Sequence, residues 1–286
     1  MHRIPVTLTI AGSDSGGGAG IQADIKAMSA LGCFATSAIT AITAQNTRGV
    51  SAVQVLAPEL VRAQIDAVAG DFDLKAVKTG MLGDVATVEV VADAVQRHDL
   101  LPLVVDPVMI AKGGDALLAD AAVAAVQERL LPYATLVTPN APEAARLVGF
   151  PVEDLDSARA AAEALVAMGP RAALVKGGHL PARRDEDGDP LLVDVLFDGE
   201  RMVEIVAPRH DTPHTHGTGC TYAAAIAAML ARGHGLVGAV RLARRYLGGA
   251  VAHGLAIGGG IGPTDHFFFL EPGAEPWIRA TASADD

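Results

Sequence analysis

Two glycine-rich segments carry most of the chemistry that this sequence offers. The first, Gly12-Ser13-Asp14-Ser15-Gly16-Gly17-Gly18-Ala19-Gly20, lies between a β-branched run and a helical pattern. Its glycines let the backbone approach a ligand, and the start of the following helix is expected to offer unpaired N–H groups. The second, Thr215-His216-Gly217-Thr218-Gly219-Cys220-Thr221, stands just before a long alanine-rich stretch. Gly217 and Gly219 can present consecutive N–H donors at the positive end of that helix, an anion hole for a phosphate in transit. Cys220 falls in the first turn, where the helix dipole is expected to lower a thiol pKa below its usual value of about 8.5, leaving a thiolate able to accept a hydroxyl proton. A lone cysteine at a helix start also reads as a small buried residue. The flanking glycines favour the chemical reading.

Other candidates are more ambiguous. Asp106 at a strand end and Glu143 in Asn140-Ala141-Pro142-Glu143 can bind Mg²⁺ directly or through water, as hard oxygen ligands do. Glu143 reads equally well as an acid favoured by a helix start. Lys176, ahead of Gly177-Gly178, can neutralise a polyphosphate; the alternative is a solvated surface lysine. His214 and His216 form an HxH, but no third ligand stands at suitable spacing, so a loop or hydrogen-bonding role is expected. A dinucleotide site fits poorly: the glycines miss the GxGxxG spacing, and no acidic residue lies between Asp24 and Glu59 to take a ribose. No Gly-Lys-Ser/Thr occurs, which removes a Walker A loop.

These segments need elements to position them, and the sequence supplies an alternation of short β-branched runs with longer helical patterns. That alternation signals a parallel sheet covered by helices. Strands are expected at residues 6–10, 34–43, 50–56, 76–78, 103–105, 136–138 and 173–175, with a hairpin at 191–197 and 202–206. Helices are expected near 20–31, 85–98, 115–130, 141–148, 157–168, 218–232 and 236–253. Residues 181–190, charged and rich in breakers, read as a loop with little to bury. Most strands end in a polar pattern, such as Lys78-Thr79-Gly80 or Thr138-Pro139-Asn140. In open parallel sheets ligands bind outside the carboxyl ends of strands, so these signals converge on one cleft.

Composition narrows the class. With 286 residues, half of them hydrophobic and 19% charged, the chain can bury one large core, and residues 1–286 read as a single domain. The net charge of −11 argues against a nucleic-acid partner. Two cysteines, Cys33 and Cys220, suit neither a disulfide scaffold nor a CxxC zinc site. The start lacks the pattern of a signal peptide, and no apolar run suits a membrane span, so a soluble cytoplasmic protein is expected.

Taken together the segments resemble the hydroxymethylpyrimidine/phosphomethylpyrimidine kinases of the ribokinase-like superfamily. The carriers are Ala11-Gly12-Ser13-Asp14-Ser15, Gly17 through Asp24, Thr43-Ala44-Gln45-Asn46-Thr47, Gly80-Met81-Leu82, Asp106-Pro107-Val108-Met109, Thr138 to Glu143, Lys176-Gly177-Gly178-His179 and Thr215 to Thr221. They occur in the family's order from residue 6 to about residue 267. The resemblance implies a three-layer α/β fold, a central, mostly parallel sheet between helices. It implies ATP as co-substrate with Mg²⁺, two successive phosphorylations of a pyrimidine alcohol on the thiamine pathway, and commonly a homodimer. Gly12, Asp24, Gln45, Met81 and Val108 would form the pyrimidine pocket, where the Gln45 amide can both donate to and accept from an aminopyrimidine edge. Gly217, Thr218 and Gly219 would form the anion hole and Cys220 the base. Lys176, Asp106, Asn140 and Thr215 would meet ATP, with Asp106 and Glu143 organising the metal.

Two positions depart from the family pattern: Gly16 stands where Ser is commoner, and His214 where Asn is common. The first is expected to loosen its loop and the second to tune the phosphate loop. The chain is read as carrying no fused second catalytic domain. A pyridoxal or pyridoxine kinase is the nearest rival reading. A non-catalytic metabolite-binding protein would keep the pocket but has no need of the Gly217-to-Cys220 segment together with Lys176.

Overall fold

The computed structural model describes residues 4–109 and 120–270. The chain opens with β1 (Val6–Asp14), α1 (Gly20–Ala30), the hairpin β2 (Phe34–Asn46) and β3 (Gly49–Val55), then α2 (Pro58–Ala69) and β4 (Leu74–Thr79). Next come α3 (Val85–His98), β5 (Leu103–Val105), α4 (Asp120–Ala125), β6 (Leu136–Val137), α5 (Ala141–Val148), α6 (Leu155–Ala167) and β7 (Ala173–Val175). The short β8 (Arg183–Arg184), the hairpin β9 (Pro190–Phe197) and β10 (Met202–Pro208), α7 (Thr218–Ala231) and α8 (Leu236–Ala252) follow.

The ten strands among the described residues join one sheet, ordered β10-β9-β7-β6-β5-β4-β1-β2-β3 with β8 paired to β9. The six strands from β2 through β7 in that row are parallel, and both margins close with antiparallel pairs, β2–β3 on one side and β7–β9–β10 on the other. Alternation along the central strands feeds two cores. Leu8, Ile10, Val77, Leu103, Val105, Val137 and Val175 face α2, α3, α5 and α6, whereas Ala76, Val104, Leu136 and Leu174 face α1, α7 and α8. Polar side chains also lie on fully buried strand positions, among them Thr7, Thr9 and Lys78. The two threonines point at α1, with hydrogen bonds to Met28 and Asp24.

Most elements stand where the periodicity puts them, with four differences. β1 runs on to Asp14 rather than stopping at residue 10, because Ser13 and Asp14 still pair with Ile42 and Thr43 after a register shift. Helix α2 is an element the periodicity reading did not contain. The stretch 181–190 is not all loop: Arg183 and Arg184 pair with Leu191 and Pro190. Of the helix expected near 115–130, residues 115–119 lie outside the described residues, and the remainder passes from α4 into a π-type turn, Val126–Leu130. Among the described residues no helix is long and apolar enough to cross a membrane.

The segment after α8 is locked to the start of α7. His266 is buried, its Nε2 lies 2.9 Å from the Thr221 hydroxyl, and the Tyr246 hydroxyl donates to its carbonyl at 2.8 Å. Burial, helped by the Lys26 charge, pushes the His266 pKa down to about 4. The folded chain therefore resists protonation that the unfolded chain accepts near pH 6.5. The stabilisation is whole above that pH and is lost as pH falls toward 4, by roughly 1–3 kcal/mol. Melting curves between pH 7 and 4.5 should show a steeper decline for the native protein than for His266→Asn.

Candidate active site

The two glycine-rich loops meet at the carboxyl edge of the sheet, and they do so backbone to backbone. A Cβ on Gly217 would lie 1.8 Å from the Gly18 carbonyl oxygen, and one on Gly18 would lie 2.4 Å from His216 Cδ2. Gly217 holds φ +80, the left-handed region that disfavours a side chain. Asp14 seals the junction, since its Oδ2 lies 2.9 Å from His216 Nε2.

The same carboxylate occupies the first loop from within. The N–H groups of Gly16, Gly18 and Ala19 donate to Asp14 at 2.8, 3.1 and 2.8 Å. Burial works to raise the Asp14 pKa, but these bonds and His216 hold it below the ordinary carboxylate range. The aspartate takes the N–H groups of the loop up to the Ala19 N-cap, while the first turn of α1, from Gly20, has no side-chain cap. Gly16 does not loosen the loop. A side chain there would sit 3.1 Å from Asn46 Cα and 3.2 Å from the Gln45 carbonyl oxygen, so glycine allows the close fit. Like α1, helix α7 starts without a side-chain cap, at Gly217, and its loop holds no acidic side chain; the Thr218 N–H reaches the Thr215 carbonyl at 3.4 Å.

Between and around the loops lies a cavity of about 790 Å³. It brings together Gly12, Gln45, Met81, Val108, Asp106, Asn140, Glu143, Lys176, Thr215, Gly217, Thr218, Gly219 and Cys220. Asp24 is the exception and is corrected: it is fully buried behind the wall, bound to Lys78 and Thr9. The expectation failed because Asp24 lies on the inward face of α1 with Ile21, Ala27 and Met28.

At one end Gly12 meets Met81, whose Cε would be 2.4 Å from a Cβ at that glycine. Gln45 stands beside them, its backbone N–H accepted by the Ser15 hydroxyl at 2.8 Å and its amide set between Thr43 Oγ1 and His216. At the other end Lys176 donates to Asp106 at 2.8 Å and lies 4.0 Å from Glu143. It is not the solvated lysine of the alternative, since its side chain is 12% exposed. Burial opposes its charge, but Asp106 and Glu143 outweigh this and hold its pKa above that of an ordinary lysine. A Cβ on Gly219 would lie 3.4 Å from Lys176 Nζ and 3.8 Å from Asp106 Oδ2, so the anion hole abuts this charged end.

Asn140 and Glu143 form a capping box at the start of α5, each side chain taking the other's backbone N–H, at 2.9 and 2.8 Å. The helix-start reading of Glu143 is thus present alongside its place on the cavity wall. Burial pushes the Glu143 pKa up to about 7 against the pull of Lys176, with Asp106 raising it further. Two buried carboxyl groups share one ammonium, and Glu143, with its pKa at about 7, gives up its proton readily when a cation arrives. A hard divalent cation fits that donor set, and Asp106 and Glu143 are the residues that would hold Mg²⁺, its shell completed by phosphate oxygens and water.

Cys220 differs from its expected state. Burial pushes its thiol up to about 11; Lys78 pulls down, Asp24 and Asp106 push further up, and the Gly20 N–H donated to the sulfur pulls down. The dipole of α7 does not offset the loss of solvation, so the resting sulfur is a thiol. His214 and His216 diverge: the first accepts the Gly262 N–H at 3.2 Å and the second turns to Asp14.

Lys78, from the polar strand end Lys78-Thr79-Gly80, lines the cavity, and so do three residues that were not anticipated, Asp194, Tyr222 and Arg244, all of them buried. Asp194 accepts the Gly177 N–H at 2.7 Å and so fixes the turn that carries Lys176. The signal for Asp194 was a charge interrupting an apolar pattern, Leu191-Leu192-Val193-Asp194-Val195.

The family model described as phosphomethylpyrimidine kinase matches residues 14–265. The hydroxymethylpyrimidine/phosphomethylpyrimidine kinase of Streptomyces coelicolor is 53% identical over 93% of this chain and 96% of its own length. Among solved structures, a phosphomethylpyrimidine kinase from Clostridium difficile superposes with TM-score 0.74 at 39% identity, covering 85% of this chain and 97% of that one. The ADP complex of Bacillus subtilis pyridoxal kinase gives TM-score 0.84 at 35% identity, covering 92% and 98%.

Gly217→Ala tests the loop junction. The positive φ and the closed contact with Gly18 should cost about 1–3 kcal/mol of stability and lower turnover at least about 100-fold. Chemical denaturation and a coupled ADP assay on the same preparation measure both.

Proposed function

The chain belongs to the phosphomethylpyrimidine kinase family, and on that premise we propose how its residues carry an ATP-dependent phosphorylation of a hydroxymethylpyrimidine and then of its monophosphate. The protein is a hydroxymethylpyrimidine/phosphomethylpyrimidine kinase of thiamine biosynthesis. The observation that carries the residue assignment is the shared cavity. The uncapped start of α7 lies between a small neutral end, with Gly12, Met81 and Gln45, and a charged end, with Lys176, Asp106 and Glu143.

In this reading the pyrimidine lies against Gly12, Met81 and Val108, with the Gln45 amide pairing its edge. Thr43 and His216 already fix that amide, so little ordering cost remains on binding. ATP extends past Lys176, Asn140 and Thr215. The first-turn N–H groups at Gly217, Thr218 and Gly219 receive the charge that develops on the transferred phosphoryl group, and Lys176 turns from Asp106 toward the polyphosphate. Mg²⁺ at Asp106 and Glu143 would screen charge between the phosphates. Asp24 takes no direct part in the pocket.

In the first step the alcohol oxygen attacks the γ-phosphorus, ADP leaves, and the hydroxyl proton passes to Cys220. In the second the attacking oxygen belongs to a phosphate already anionic, so no base is required. A thiol held near pKa 11 suits this division, because its thiolate fraction limits only the first step. We assign the working form as a cytoplasmic homodimer of single-domain subunits, residues 1–286, acting on small molecules. The net charge of −11 disfavours nucleic acid.

Turnover of purified protein with ATP, Mg²⁺ and the pyrimidine alcohol, its monophosphate or pyridoxal, with products weighed by mass spectrometry, tests the reading. Diphosphate should form from the first two, and turnover of pyridoxal alone would overturn the pyrimidine assignment. Cys220→Ala should slow the alcohol step about 100-fold or more and the monophosphate step less than about tenfold. In the native enzyme kcat/KM for the alcohol should climb about tenfold per pH unit between pH 7 and 9, while the monophosphate step stays nearly flat. Equal losses in both steps would remove Cys220 as the proton acceptor.

A further inference from the structure

The Gln45 amide can face the cavity in two ways, and its neighbours admit one. His216 Nε2 lies 2.9 Å from Asp14 Oδ2 and 3.4 Å from the Gln45 amide. Asp14 is an ionised carboxylate that already accepts three backbone N–H groups, so it has only lone pairs to offer. His216 Nε2 therefore carries hydrogen, whether the ring is neutral or charged. A Gln45 NH₂ turned toward that N–H would set donor against donor.

The other side of the amide gives the same answer independently. Thr43 Oγ1 stands 3.1 Å from the Gln45 amide and 2.8 Å from the Ser13 carbonyl oxygen. A hydroxyl has one hydrogen, and the shorter contact, to an oxygen that can only accept, takes it. Thr43 is left with lone pairs toward Gln45, and those call for the NH₂. Both neighbours thus select one orientation, with the carbonyl oxygen toward His216 and the nitrogen toward Thr43.

The groups that impose it are themselves held. The His216 ring lies against Gly18, where an added Cβ would be 2.4 Å from Cδ2. Its backbone N–H donates to the Gly262 carbonyl at 3.1 Å, and its carbonyl accepts the Thr264 N–H at 3.3 Å. Gln45 forms a reciprocal pair with Ser15, whose hydroxyl accepts its N–H at 2.8 Å and donates to its carbonyl at 2.7 Å. The ladder from β2 to β3 shifts register between Ala44 and Gln45, the kind of irregularity that re-aims a side chain beside a site.

We propose that His216, held by Asp14, is a positioning residue for specificity: it fixes which way round the Gln45 amide meets the pyrimidine. An amide oxygen has two lone pairs and its nitrogen two hydrogens. His216 and Thr43 take one of each, so an acceptor remains on the His216 side and a donor on the Thr43 side. An aminopyrimidine answers that order with its exocyclic amino group toward His216 and the adjacent ring nitrogen toward Thr43. In the oxo analogue a carbonyl replaces the amino group and the ring nitrogen carries hydrogen, so the order is reversed and both pairs are mismatched. This rests on the reading of Gln45 as the residue that pairs the pyrimidine edge.

Nuclear magnetic resonance of the native protein without substrate reads the orientation directly. The Gln45 side-chain NH₂ signals, identified by their loss in Gln45→Glu, should show Overhauser contacts to Thr43 and none to the His216 ring. Contacts to the ring instead would overturn the proposal. Calorimetric titration with the aminopyrimidine alcohol and its oxo analogue reads specificity without turnover. Native protein should prefer the amino compound at least about 100-fold. His216→Phe should cut that preference to about tenfold or less and bind the oxo analogue more tightly than native protein does, because the freed amide can turn. His216→Gln, which keeps an N–H for each neighbour, should recover most of the preference. A loop that had merely loosened would weaken both compounds alike, and that result refutes the proposal. If His216→Phe does not fold, the native NH₂ contacts and the order of the two native affinities decide. Gln45→Ala separates the two ideas. A native preference surviving in that variant removes Gln45 as the reader of the pyrimidine, whereas ring contacts from the NH₂ remove only the orientation set by His216.

Discussion

The contact between Asp14 and His216 joins residues 202 positions apart, and the geometry of the whole cavity depends on it. One carboxylate gathers three backbone N–H groups of its own loop and the imidazole of the other. That contact fixes how closely Gly18 can lie on Gly217, and with it the tilt of the α7 start over the strand ends. His216 in turn stands against Gln45 at 3.4 Å, so the same contact reaches the neutral end of the cavity. A substitution at Asp14 would release both loops at once, because the N–H groups it now satisfies would have to find water inside a tight junction.

The two glycine segments look alike in sequence but are electrostatically opposite. The first is filled by its own aspartate and presents an already balanced surface. The second carries no acidic side chain of its own at its helix start and keeps its positive character. Next to it the charged groups alternate in sign, Lys78 with Asp24 beneath and Lys176 with Asp106 beside. Each lysine is balanced in the free protein, and a polyphosphate needs only to compete for Lys176, the more exposed of the two. Segregating charge in this way lets a strongly acidic protein, net −11, hold a locally cationic pocket.

Most of this was legible in the sequence. Central parallel strands are short apolar runs buried on both faces, and their polar ends mark the ligand edge, so the residues around Gly12, Met81, Asp106, Asn140 and Lys176 could be placed before any coordinates. What escaped did so for physical reasons. Helix α2 has Val61, Ile65 and Val68 at helical spacing behind Pro58 at its first position, so its signal was present, weakened only by the lack of a capping side chain at Ala57. Asp24 was placed in the pocket by the family resemblance, whereas its spacing from Ile21 and Met28 puts it inward. The Cys220 thiol was judged by the helix dipole, a modest effect, when desolvation was larger. Asp194 needed the pattern of its strand, in which a charge at an inward position has to be answered by a buried partner.

The cavity wall draws on residues from Ala11 to Val251, and this has a consequence for synthesis. A ribosome delivers β1, the Met81 segment and the Lys176 turn first, and these pair within one sheet as they emerge. The loop with Gly217 comes late, and the C-terminal segment that holds Thr221 through His266 comes later still. Contacts of such long sequence separation form last and slowly. An unfinished chain therefore displays the walls of the cavity without the element that polarises a phosphate. Catalytic competence is a property acquired only by the completed polypeptide, and an arrested or truncated product is an inert receptacle rather than a wasteful ATPase.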